Sequence, residues 1–264
     1  MNRGAQPTDG HHLSPMLRRL VAERATGALL RDSGTLYLVD GQVVHAESPS
    51  APGIDILLTV GGRLRPESWQ WAVDQAGARG SVGRFLVDSG QVPGGELELC
   101  HLGALFDAAF FTLSPGSGAT RFRYGVAHWI GPVSPVPAQA VAREAARRRE
   151  LLGRLWPHPE VDTAPVVRAR GLPAASVTGR QRALLALADG ARTPQDIARL
   201  LGRPAFHTLV DVRRLAAAGA IATPTAAVPP LGMPAPLARA AAEAEAVADV
   251  ALLRRLRDGL ETAL

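Results

Sequence analysis

At 264 residues, with 47% apolar against 20% charged residues, the chain has the length and composition to bury a substantial core, and most of it is expected to fold. All 29 basic residues are arginine, so the pI near 10.7 reflects an excess of +5 that nothing titrates away at high pH, and it argues only weakly for a polyanion partner. The single cysteine, Cys100, excludes an internal disulfide, no apolar run is long enough to cross a membrane, and MNRGAQPTDGHH lacks the apolar centre of a signal peptide.

A soluble, cytoplasmic protein with no membrane partner is the expectation. Cys100 itself sits in the apolar run LELCHLGALFDAAFF, where a small buried thiol is expected.

The first periodic segment is HLSPMLRRLVAERATG. Leu13, Met16, Leu17, Leu20 and Val21 recur at helical spacing, and Gly27 follows near its end. Three short strands come next, GALLRD, TLYLVD and QVVHAES, broken at Ser33-Gly34 and Asp40-Gly41. Asp-Gly suits a two-residue turn that needs positive φ at both positions, so the run reads as an antiparallel meander. Alternation of Leu36, Leu38, Val43 and His45 is expected to fix its register.

Helices are predicted at GIDILLTV, from Pro66 to about Gln75, over GRFLVDSGQV and from about Gly95 to Leu113. In the last of these, Leu99, Leu102, Phe106, Ala109, Phe110 and Leu113 form the expected core-facing stripe. TRFRYGV then reads as a half-buried strand, with Phe122, Tyr124 and Val126 alternating with Arg121 and Arg123.

Prolines cluster between about 132 and 137, 157 and 173, and 224 and 236, which marks these stretches as joints. Between the first two lies QAVAREAARRRELLGRLW. Its Arg143, Arg147 and Arg154 share one face, and Val141, Ala145, Leu152 and Leu155 another. The arginine face is read as solvated, with a phosphate or acidic partner as the alternative.

Capping boxes at Thr178/Gln181 and in Thr193-Pro194-Gln195-Asp196, with stops at Gly190, Gly202 and Gly219, predict helices at about 179 to 189, 194 to 201 and 204 to 218. The second and third form a helix-turn-helix. The Ala-rich tail carries Leu252, Leu256, Leu260 and Leu264 at i+4 spacing beside Leu253, an apolar ridge suited to docking on the body or to homodimer formation.

Seven histidines, at 11, 12, 45, 101, 128, 158 and 207, form no metal-ligand spacing, and no phosphate-loop, dinucleotide or nucleophile-elbow motif is present. His45 is read as a strand histidine, hydrogen-bonded or exposed, without an acidic neighbour. No catalytic residue, cofactor or metal is expected.

Helix, TGALLRDSGTLYLVDGQVVHAES and GIDILLTVGGRL together resemble the PATAN domain family of bacterial signalling proteins. The matching positions are Thr26-Gly27, Leu36, Leu38, Gly41, Val43 and Ala46, with Phe122 and Tyr124 standing for the paired aromatics of a final strand. The resemblance implies a small antiparallel sheet split by a helical insertion. Within that insertion SVGRFLVDSGQV is similar to a helix-turn unit of type IV pilus and secretion ATPases, some of which bind cyclic dinucleotide. Ser81 and Ala104 stand here where those proteins have Arg and Gln.

Further on, LLALADGARTPQDIARLLGRPAFHTLVDVRRLAAAGAI resembles a winged-helix domain. The implied organisation is an α+β PATAN-type domain over 11–131 with its insertion at about 65–95. A proline-flanked linker and Arg-rich helix over 132–163 follow, then a winged-helix-like domain over 164–226 and a terminal helix over 234–264.

In the third helix of the winged-helix-like domain Leu209, Val212 and Leu215 are expected to be buried, leaving His207, Thr208, Asp211 and Arg214 outside. After Ile221 the run ATPTAAVPPLGMPAP has five prolines and no arginine, which cannot build a basic wing. Two functions follow. One is a non-enzymatic regulatory adaptor in bacterial signal transduction that binds protein partners. The alternative is a DNA-binding transcriptional regulator using Arg203, His207, Thr208 and Arg214, with Arg143, Arg147 and Arg154 adding phosphate contacts.

Overall fold

A five-stranded antiparallel sheet in the order β4-β1-β2-β3-β5 is the frame on which the rest is placed. The computed structural model describes residues 13–116, 118–169 and 177–222. The terminal helix with its leucine ridge, the wing segment after Ala222, and His11 and His12 lie outside the described residues. What is described belongs to one compact unit that runs to Pro224 and has mixed α+β architecture.

Helix α1 (Pro15–Ala22) starts where the Ser14 hydroxyl accepts the Leu17 N–H, and it buries Leu17 and Leu20. Strands β1 (Gly27–Arg31), β2 (Gly34–Val39) and β3 (Gln42–Glu47) form the meander. Its second turn is the one the sequence indicates, with Asp40 at φ 49° and Gly41 at φ 77°. A Cβ on Gly41 would stand 2.9 Å from the Val21 carbonyl oxygen, so close approach to α1 adds to the conformational demand for glycine.

One expectation fails inside the hairpin. Tyr37 opposes His45 and Leu38 opposes Val43, so Val44 is an extra residue, a bulge. The extra residue separates Val43 and His45: Val43 joins Leu36, Leu38 and Ala46 in the core, whereas His45 shares the pleat of Tyr37.

Helices α2 (Ile54–Thr59), α3 (Pro66–Ala76) and α4 (Val82–Asp88) follow and close a second core of Leu57, Leu58, Ala72, Val82 and Leu86. Helix α5 (Gly94–Thr112) joins the two cores, with Leu97, Cys100 and Ala104 in the helical core and Leu105, Ala108 and Ala109 under the sheet. It is buried nearly all round, so a single stripe is the wrong description. Leu99, expected inside, is 75% exposed, and Asp107 and His101 are fully buried.

Strand β4 (Arg121–Tyr124) returns to pair with β1. Only Phe122 is half-buried there, because β4 is the edge strand, and Tyr124 is exposed. The run expected as a proline-rich joint instead supplies β5 (Val136–Pro137), which pairs with β3 at Gln42 and Val43. Helix α6 (Ala138–Leu155) then puts Ala138, Val141 and Ala142 into the sheet core.

Strand β6 (Val167–Arg168) precedes α7 (Gly179–Leu187), α8 (Pro194–Leu200), α9 (Ala205–Ala217) and β7 (Ile221–Ala222). Both expected capping boxes form, satisfying helix N–H groups that otherwise lack partners. Val212 and Leu215 of α9 enter a third core with Leu184, Leu185 and Ile197. Its other side packs Phe206, Leu209 and Val210 on Phe110 of α5 and Leu152 of α6.

Candidate functional site

A pile of three buried imidazoles stands on the pleat that the bulge reassigns. The His45 and His128 ring centroids are 3.9 Å apart and stacked, and His45 stacks on His101 at 5.4 Å. Each ring comes from a different element, and local chemistry holds each in place. The bulge turns His45 away from the core, and the carbonyl of the bulged Val44 engages Nε2 of His101 on α5 at 2.9 Å. His128 belongs to the loop after β4. Ile130, 1% exposed in the helical core, pins that loop, and the Ile130 carbonyl accepts the Gly83 N–H.

Glu47 completes the cluster from the same strand as His45. Its Oε1 lies 3.0 Å from His128 Nε2, and its Oε2 accepts the Tyr37 hydroxyl at 2.9 Å. His128 Nδ1 accepts the Ile130 N–H at 3.2 Å, which puts the neutral ring's proton on Nε2, donated to Glu47. Nδ1 of His45 and Nδ1 of His101 are buried with no hydrogen-bond partner. The reading of His45 as hydrogen-bonded or exposed is therefore wrong: the residue is 3% exposed and its Nδ1 is unpartnered. The acidic neighbour is two residues away on the same strand.

The electrostatics follow from this packing. Burial, reinforced by His128 and His101, holds the His45 pKa well below the ordinary histidine value. Burial likewise takes His101 down to about 4, against the opposing pull of the Val44 carbonyl. The hydrogen bond from His128 lowers the Glu47 pKa, and burial next to Glu47 raises that of Tyr37. Both histidine rings are thus neutral at pH 7, with a lone pair on each. The cluster borders an open cavity of about 470 Å³ whose wall includes His45, Glu47, His128, Trp129, Asp32 and Asp55.

The residues expected to contact DNA or a partner are not gathered there. Thr208 is buried, its hydroxyl turned to the Pro204 carbonyl, and Asp211 is buried under an ion pair with Arg180 at 3.1 Å. Both were expected outside; α9 is packed on two sides rather than one, which leaves His207 and Arg214 as the exposed members of the expected set. Arg203 is half-buried and points at the Arg180 carbonyl. Arg143, Arg147 and Arg154 are exposed on α6 as expected, Arg147 held by Glu144 and Arg154 3.7 Å from Glu150.

A second concave surface lies where the α8–α9 turn meets α2 and α5. It is a groove of about 710 Å³ lined by Val60, Leu99, Cys100, Leu201 and Arg203 among others. Gly202 makes the junction possible, because a Cβ there would meet the Gly61 nitrogen at 2.4 Å. Leu99 and Val60 in this groove, 75% and 49% exposed, are among the most exposed large apolar side chains of the described residues.

Among known protein families, curated proteins and solved structures, none matches this chain. Among the described residues, no helix is long and apolar enough to cross a membrane.

Proposed function

We propose that the protein is a non-enzymatic regulatory adaptor of bacterial signal transduction, built from a PATAN-type domain and a winged-helix-like domain and working by protein-protein contact. The observation that carries this reading is the groove between α2, α5 and the α8–α9 turn, with Leu99 and Val60 left open to solvent. Exposed apolar side chains around a concavity suit a partner that inserts an apolar side chain between them. Arg203 on the rim favours an acidic flank on that partner.

The burial of α9 weighs against the DNA-binding alternative. A recognition helix offers its N-terminal residues to base edges. Here Ala205 and Phe206 are buried, and the Phe206 N–H is donated to Asp107. Presenting that end to a groove requires pulling α9 off α5 and α6. Cytoplasmic location belongs to the same proposal.

Affinity capture from the native host, with wild type and Leu99→Arg compared, tests the reading. A partner held by wild type and lost by the variant at unchanged melting temperature is expected. Salt-sensitive binding of random duplex at about 50 mM salt, weakened by Arg203→Ala and Arg214→Ala, would replace the adaptor with the regulator.

A further inference from the structure

The geometry points to a binding site for one divalent transition-metal ion of the zinc class at His45, Glu47 and His128, with its open side toward the adjoining cavity. This inference does not depend on the adaptor reading. Donor atoms of the three residues all lie within 4.8 Å of one another. Bonds of about 2.1 Å in tetrahedral geometry require donors ~3.4 Å apart, with each lone pair in its ring plane. The donors are near enough, and the stacked His45 and His128 rings must turn out of their 26° stack to converge on an ion. His128 Nε2 and Glu47 Oε1, at 3.0 Å, are already as close as two ligands of one ion.

Independent support comes from His45. The residue is 3% exposed, yet Nδ1 has no partner, a state that costs free energy unless something satisfies it. The surroundings supply the supports that such sites use. The Tyr37 hydroxyl holds Glu47 by Oε2 and leaves Oε1 for an ion, and His101, tied to the Val44 carbonyl, backs the His45 ring. The cavity beside the ligands leaves room for water or a small anion to complete the coordination.

Two imidazoles and one carboxylate favour zinc, copper, nickel or iron over calcium and magnesium, which take oxygen ligands. Cys100 packs in the helical core and is not part of the cavity lining. Ligation through Nε2 requires His128 to hold its proton on Nδ1 instead. The neutral ring exchanges tautomers with no net proton change, and the Ile130 N–H gives up its 3.2 Å bond.

The test uses the full chain, stripped with a chelator and titrated with Zn²⁺ against a chromophoric competitor, with Co²⁺ substitution read by its visible d–d bands. His11 and His12 can bind metal adventitiously, so a His11→Ala/His12→Ala variant sets the background. We expect one zinc per chain in wild type and in that variant, and at least tenfold weaker binding in Glu47→Gln and in His128→Asn, with the Co²⁺ bands lost or shifted. Because the Glu47 side chain is half exposed and a Gln oxygen can still accept from His128 or Tyr37, Glu47→Gln folds with at most a modestly lower metal-free melting temperature and remains readable should His128→Asn not fold. Absence of binding, stoichiometry that vanishes with His11 and His12, or affinity unchanged in Glu47→Gln would overturn the site.

Discussion

Two of the regions that bury polar side chains among the described residues do so in opposite ways. Between α5, α6 and α9 the acid–arginine groups Asp107, Arg148 and Arg213 are saturated, while the half-buried Arg149 of α6 keeps an Nε without a partner and donates from Nη2 to the Phe110 and Leu113 carbonyls. Arg148 reaches Asp107 at 2.6 Å and Glu144 at 2.9 Å, and the other Asp107 oxygen takes the Phe206 N–H. Arg213 forks onto Asp162 at 2.6 and 2.8 Å and also donates to the Leu152 and Trp156 carbonyls. In the histidine pile, by contrast, two ring nitrogens are buried without any partner beside an open cavity. Saturated polar burial holds elements in one arrangement, whereas a buried ring nitrogen without a partner adds no such constraint.

Breaking the saturated region should give the largest effect. Asp107→Ala leaves the Arg148 guanidinium buried without its partner and the Phe206 N–H without an acceptor, with an expected loss of about 3–5 kcal/mol in urea unfolding. The same change should loosen α9 from α5, raising amide exchange in residues 205–217 before the sheet exchanges.

Acid distinguishes the two regions next. Burial holds His45 and His101 neutral, with pKa values below those of the unfolded chain. Unfolding therefore takes up protons as soon as the pH drops below about 6.5, and the stability that the neutral rings confer is lost between there and about 4 for His101. In metal-free protein each ring should steepen the decline by up to about 1.4 kcal/mol per pH unit. A flat profile between pH 7 and 5 would show that the rings are not buried neutral.

How much of this was legible in the sequence differs between the regions for a physical reason. Local signals predicted well: Asp40-Gly41 specifies its turn, and Thr178, Gln181, Thr193 and Asp196 specify their caps through neighbours within three residues. The α+β class followed from such pieces. The histidine pile did not, because His101 and His128 reach His45 only through tertiary folding, and because a one-residue bulge at Val44 inverts the alternation that placed His45. Glu47, two residues from His45 on the same pleat, was the one signal available. For α9, helical periodicity found the buried Val212 and Leu215 but had no means of knowing that α5 and α6 would cover Thr208 and Asp211 as well.

Replacing the central histidine sharpens the contrast. His45 Nδ1 makes no hydrogen bond, so His45→Leu, of similar bulk, removes an unsatisfied polar atom and gives up only ring stacking. In metal-free protein its effect on the unfolding free energy should be within about 1 kcal/mol, far below that of Asp107→Ala. A loss as large as that of Asp107→Ala would mean that the pile is a structural lock like the arginine interface.

The smallest expected effect tests whether burial or residue type sets these costs. Arg148 and Arg154 lie on the same helix, six residues apart, and each faces a glutamate four residues before it, Glu144 and Glu150. Arg154 is 66% exposed and 3.7 Å from its partner, where water screens the attraction and side-chain entropy offsets it. Arg154→Ala should therefore change the unfolding free energy by no more than about 0.5 kcal/mol. Arg148 is 10% exposed and also holds the fully buried Asp107, so Arg148→Ala strands a carboxylate in the interface and should approach the cost of Asp107→Ala. Equal costs at the two positions in urea unfolding would mean that helix propensity or net charge governs them, and the distinction between saturated and solvated arginines on α6 would fall.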